Sequence, residues 1–202
     1  MASIVLVVVA YLIGSISFAV IVSRCFGLPD PHTYGSGNPG ATNVLRTGRK
    51  AAAVLTLIGD AAKGAIALWL ARRLAPELEV GEITLAAAAF AAFIGHLFPV
   101  YFHFKGGKGV STAAGILLAL DARIAGVVLL VWLLIVVASR FSSLGAIVAA
   151  LAAPIATVYF LGWGPFACTV LAMTALLLWR HRRNIQRLMN GTESRIRLSR
   201  GA

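Results

Sequence analysis

The chain has 202 residues, of which 59% are hydrophobic and only 12% charged, with a mean hydropathy of +0.88. That composition describes an integral membrane protein and leaves no length for a separate soluble domain. It excludes a soluble nucleic-acid-binding domain despite a net charge of +11, and directs that charge toward anionic lipid and anionic small substrates.

The first apolar run covers residues 3–23. It has no basic stretch before it and no small-residue cleavage site after it, so it reads as a retained span rather than a signal peptide. A polar connector follows over 24–50, then a second span at 51–71 that contains Asp60 and Lys63, and an acidic-basic loop over 72–82. The third span, 83–102, holds His96 and Pro99, and a glycine-lysine loop follows it. Residues 111–120 are too few to cross a hydrocarbon core of about 30 Å as one straight helix, so they form a short or partly re-entrant helix or cross where the bilayer is thinned. Spans at 124–139, 144–161 and 165–180 precede a basic tail over 181–202.

The expected fold is therefore all-α: one polytopic membrane domain of about seven spans. Seven crossings place 24–50, 103–110, 140–143 and the end from Arg180 on one side, with fourteen of the eighteen Lys and Arg residues. The positive-inside bias makes that side cytosolic and puts the N-terminus outside. Cys25 and Cys168 then lie near opposite faces, too far apart to pair.

Three polar stretches share the cytosolic side. In the first, Gly35 to Arg46, glycines and a proline fix an irregular backbone that can turn N–H groups toward an anion; the plainer reading is a flexible connector. Gly37, Asn38 and Asn43 are its candidate binding residues. In the second, Lys105, Gly106, Gly107, Lys108 and Gly109 lead to Ser111 and Thr112 at a helix start, a pattern suited to phosphate. It is not a Walker A loop, because Phe102 fills the first glycine position; a positive-inside anchor with a helix cap competes with phosphate binding. In the third, His181, Asn184 and Leu188 share a helix face, and a basic juxtamembrane helix on anionic lipid explains it equally well. Asp60 and Lys63, three residues apart in a span, read as a neutralising ion pair lining the bundle. His96 either bonds a neighbouring loop or simply packs.

The blocks Ser36–Val44, Gly95-His96 with Phe98-Pro99-Val100, Phe104–Val110, and His181-Arg182 with Asn184-Ile185 and Arg187-Leu188 together resemble the bacterial acylphosphate–glycerol-3-phosphate acyltransferase family of the inner membrane. The resemblance runs from the first span to Glu193. It implies a seven-span enzyme that makes 1-acyl-glycerol 3-phosphate from acyl phosphate, without coenzyme A; no metal or other cofactor is expected for the chemistry. It makes Ser36 and Arg46 the essential first-block residues and Lys105 to Thr112 the glycerol phosphate block. His181, Asn184 and Glu193 become the third-block residues, with Glu193 structural. Ser111 departs from the family, standing where many members have alanine. The implied partners are acyl phosphate, glycerol 3-phosphate and membrane lipid; the donor-producing enzyme is left unnamed.

The chemistry needs oxyanion donors, for which Ser36, Asn38, Asn43 and Asn184 are candidates. His181 serves either as a base or as a phosphate ligand, and its basic neighbours should lower its pKa. No His-x-x-x-x-Asp pair exists: the fifth residues after His32, His96, His103 and His181 are Gly37, Tyr101, Lys108 and Gln186. A small transporter of phosphorylated anions is the alternative class, and a non-catalytic lipid-binding scaffold a third.

Overall fold

Every apolar segment folds as helix in the computed structural model, which describes residues 1–196. The helices are α1 (Ala2–Gly14), α2 (Phe18–Cys25), α3 (Ala41–Leu45), α4 (Lys50–Leu74) and α5 (Glu82–Leu97), then α6 (Val110–Leu120), α7 (Ala122–Ser139), α8 (Ser142–Leu161), α9 (Pro165–Arg180) and α10 (Arg182–Met189). No strand occurs among the described residues. Arg197 and Arg200, counted above with the basic tail, lie outside them.

Among the described residues, five stretches are long and apolar enough to cross a membrane: 2–25, 50–74, 82–102, 122–139 and 142–161. The two shorter apolar helices are α6 and α9. The first run is not one continuous helix. It breaks at Ser15–Ser17 between α1 and α2, and the Ile16 carbonyl left outside the helical ladder accepts a 2.5 Å hydrogen bond from Lys63 Nζ. Lys63 also pairs with Asp60 Oδ1 at 2.9 Å, both side chains being buried. The expected ion pair is present, and its cation also serves a broken helix.

Glycines set the closest helix contacts. A Cβ on Gly14 would strike the Ala92 backbone, and one on Gly95 the Tyr11 carbonyl, so α1 and α5 meet backbone to backbone. Gly64 against Thr112 and Gly115 against the Ala61 carbonyl do the same for α4 and α6. Small residues at such crossings let dispersion contacts and backbones approach where lipid supplies no hydrophobic drive. By contrast α7 buries only Ile124 and turns Leu129, Leu130, Leu133, Leu134 and Val137 outward.

The placement of α6 decides where the site lies. Its start is level with the middle of α4, because Thr112 Oγ1 donates to the Asp60 carbonyl at 2.9 Å. Its end is level with the end of α4, because Arg72 donates to the carbonyls of Ala119 and Leu120. Asp60 is ten residues into α4, about 15 Å along the helix at 1.5 Å per residue. The loop before α6 therefore dips about half-way down the bundle.

Candidate active site

The connector between α2 and α4 is a stapled loop rather than a flexible one. The Asn43 side chain accepts from the Ser36 N–H at 2.9 Å and donates to the carbonyls of Pro31 and Tyr34. Val44 packs with Ala19, Val22, Ala52 and Ala53 beneath it. These contacts carry Ser36, Asn38 and Arg46 to one rim of a cavity of about 640 Å³.

The glycine-lysine loop supplies the opposite wall. Gly109, with φ +88°, closes the turn into α6 in a conformation that L side chains rarely adopt. Lys108 projects from this turn and donates to Asn184 Oδ1 at 2.5 Å. Asn184, on the buried face of α10, donates to Glu193 Oε1 at 2.7 Å. Glu193 also accepts from Ser143 at 2.6 Å and from Arg187 at 2.6 Å. One carboxylate thus gathers α8, α10 and the tail. Two further contacts hold the tail across the cavity: Arg46 donates to Ser194 Oγ at 3.0 Å, and the Ile196 N–H to the Arg140 carbonyl at 2.8 Å.

His181 is buried where α9 passes into α10, and its Nδ1–H donates to the Leu177 carbonyl at 2.9 Å, leaving Nε2 as the acceptor nitrogen. Burial, followed by the charge of Lys108, pushes its pKa down to about 4, so the ring is neutral near pH 7. Burial likewise lowers Lys108 to about 8; Glu193 opposes that shift, while Arg187, Arg46 and Arg180 add to it. For Glu193, burial disfavours the charge, but hydrogen bonds from Ser143, Arg187 and Asn184 outweigh it and hold the carboxyl below its usual range.

The cavity has a mixed lining: Ser36, Arg46, Lys108, His181 and Arg187 supply polar and charged groups, and Leu57, Val128, Leu129, Trp132 and Ala149 supply apolar surface. Such a cavity fits a molecule with a polyanionic head and a hydrocarbon tail.

A family profile described as glycerol-3-phosphate acyltransferase matches residues 4–191. The chain belongs to that family. Among its relatives, the glycerol-3-phosphate acyltransferase of Ralstonia nicotianae is 56% identical over 96% of this chain and 94% of its own length. That of Bordetella pertussis is 56% identical over 95% and 90%. The crystal structure of PlsY, an integral membrane glycerol 3-phosphate acyltransferase, in its glycerol 3-phosphate form superposes with a TM-score of 0.90 at 36% identity, covering 98% of this chain and 96% of that one. Its lysophosphatidic acid form gives 0.88 at the same identity.

Of the acyltransferase residues expected from the sequence, Ser36, Asn38, Asn43, Arg46, Lys108, Gly109, Ser111, His181, Asn184 and Glu193 border the cavity. The rest of the glycine-lysine block does not. Lys105 is exposed, with its carbonyl 2.9 Å from His32 Nε2, and Gly37 turns away with its N–H on Tyr34. Gly106 and Gly107 are buried, and the Gly107 N–H goes to the His96 carbonyl at 3.1 Å. Thr112 is spent on Asp60. Over 105–112 the chain forms a seated turn: the Lys105 and Gly107 N–H groups go to the Phe102 and His96 carbonyls, while Lys108, Gly109 and Ser111 face the cavity. Asn43 is a staple whose amide is already occupied, which removes it as an oxyanion donor.

Among the cavity residues not proposed as binding or catalytic from the sequence are Ser143, Arg187, His96 and Asp60. His96 Nδ1 lies 3.6 Å from Asp60 Oδ1 and has no hydrogen-bond partner among the described residues. The Gly95-His96 block pointed to His96, and the third-block Arg187 was visible in the same way; nothing local marks Ser143.

Proposed function

We propose that this chain transfers a fatty acyl group from acyl phosphate to the 1-hydroxyl of glycerol 3-phosphate, releasing lysophosphatidic acid and inorganic phosphate. The observation that carries the reading is one cavity lined both by Arg46, Lys108 and Arg187 and by Leu57, Leu129 and Trp132. Both substrates are phosphorylated, and only the donor needs the apolar lining.

Lys108 and the head of α6 bind the glycerol phosphate, and Arg46 with Arg187 hold the donor's phosphate. The acceptor hydroxyl oxygen attacks the acyl carbonyl carbon while the carbon–oxygen bond to phosphate breaks, and the phosphate leaves with that electron pair. Neutral His181 orients the hydroxyl through Nε2, and with a pKa near 4 it is a poor proton sink at pH 7. The proton ends on the departing phosphate. Ser36 positions substrate and forms no acyl-enzyme. The main contribution is holding two reactants in attack geometry beside fixed positive charge.

The protein sits in the bacterial cytoplasmic membrane with seven crossings, the N-terminus outside and the cavity open to the cytosol. The dipping 103–109 loop supports this, since α6 then needs to cover only the outer half of the bilayer. Cytosolic loops 24–50 and 103–110 and the tail carry the polar residues. A transporter is disfavoured because the polar groups gather at one face. Purified protein in detergent separates the two: an acyltransferase forms lysophosphatidic acid there, whereas a transporter shows nothing until sealed vesicles are supplied.

A further inference from the structure

Arg180, the last residue of α9, does not border the cavity. Its guanidinium donates through Nε to the Gly107 carbonyl at 3.0 Å and through Nη2 to the Gly106 carbonyl. It also lies 5.8 Å from the Phe98 ring centroid and 5.9 Å from that of Trp179. We propose that Arg180 is a positioning residue that locks the 106–109 turn and thereby sets the Lys108 ammonium in its working place.

Glycines at 106, 107 and 109 give the turn no side-chain handle, and ordering them costs more backbone entropy than ordering any other residue. Among the described residues its N–H side is tied only by Gly107 to the His96 carbonyl. The carbonyl side has the Arg180 fork, whose planar pair of charged donors fits two adjacent carbonyls as a lysine point charge cannot. The Phe98 and Trp179 rings, 6.3 Å apart, both pack beside the guanidinium and limit its movement. Because Arg180 precedes His181 directly, the same helix end fixes the turn that carries Lys108 and presents the neutral histidine. Lys108 is thus held at its base by Arg180 and at its tip by Asn184. The charged groups around that ammonium are Arg46 after α3, Arg180 on α9, Arg187 on α10 and Glu193 on the tail, with neutral His181 beside it.

The inference rests on Lys108 binding the acceptor's phosphate, and one arm of its test does not. In Arg180→Lys, which keeps the charge and loses the fork, KM for glycerol 3-phosphate should rise at least tenfold while KM for acyl phosphate stays within twofold. Arg180→Gln should do the same and also move the alkaline limb of kcat/KM to higher pH, because one repelling charge near Lys108 is gone. Independently of turnover, hydrogen exchange of the purified full chain should accelerate over 104–109 in Arg180→Lys and stay unchanged in α1 and α5. Wild-type acceptor KM in Arg180→Lys would overturn the proposal, as would unchanged exchange of the turn or a uniform loss of every parameter together with melting temperature. If wild-type protein fails to turn over glycerol 3-phosphate at all, the functional reading falls, and the exchange arm still decides the clamp.

Discussion

Replacing Gly107 with alanine tests how the site is built. An ideal Cβ at this position would lie 2.9 Å from the Pro39 carbonyl oxygen and closer still to His96 Nε2. Neither neighbour yields cheaply: one is backbone, and the other is a buried ring beside Asp60. Overpacking of this kind costs about 1–3 kcal/mol and is relieved by moving backbone. The part free to move is the turn itself, which carries Lys108. A misplacement of about 1 Å in a positioning group costs about a hundredfold in rate. Gly107→Ala should therefore lower kcat/KM for glycerol 3-phosphate by roughly ten- to a hundredfold, mostly through KM. Gly126→Ala, on α7 with nothing near its Cβ, serves as the control and should leave kinetics and melting temperature intact. The assay is steady-state phosphate release in detergent with the acceptor varied. Wild-type kinetics in Gly107→Ala would refute the seated-turn reasoning, and an unchanged KM with collapsed kcat would move the turn to the reacting carbonyl.

If the charged form of Lys108 binds phosphate, kcat/KM for the acceptor should fall as pH rises through about 8, the value to which burial lowers that ammonium. His181, held near 4 and already neutral, should add no limb between pH 5 and 7; a limb near 6.5 that vanishes in His181→Gln would contradict that assignment. Asp60→Asn leaves Lys63 charged and unpaired inside the bundle and should cost about 3–5 kcal/mol, whereas Asp60→Asn with Lys63→Met should recover part of that loss in thermal unfolding. A double variant no more stable than the single one would show that the pair is not what holds this region. Cysteine labelling of the tail, with Cys25 and Cys168 replaced, should succeed in inverted vesicles and fail in intact cells; labelling from outside would overturn the seven-crossing topology.

The helical class and seven apolar segments were legible because long unbroken hydrophobic runs have few other solutions in a bilayer. The break at Ser15–Ser17 was not, since it depends on Lys63 reaching the Ile16 carbonyl from another helix. The polar blocks announced the site by their order along the chain, yet their composition misassigned individual roles. Asn43 has the chemistry of an oxyanion donor, but its amide is consumed by Ser36, Pro31 and Tyr34. Gly106 and Gly107 read as an anion nest, yet α5 and Pro39 also leave no room there for a Cβ, a packing demand that local pattern does not show. Ser143 carries no local signal at all and enters only because Glu193 folds back from fifty residues away. Short-range pattern identifies which segments are polar for a reason, and long-range packing decides which atoms remain free to meet a substrate.

Donor selectivity tests the central claim most directly. Purified protein in detergent with a chelator, given glycerol 3-phosphate and either acyl phosphate or acyl-CoA, should form lysophosphatidic acid rapidly from acyl phosphate and very slowly from acyl-CoA. Because no oriented base is required when the donor carries its own leaving phosphate, chelator should make no difference and no acyl ester should accumulate on Ser36. Comparable turnover of acyl-CoA, or a trapped Ser36 acyl ester, would contradict the account.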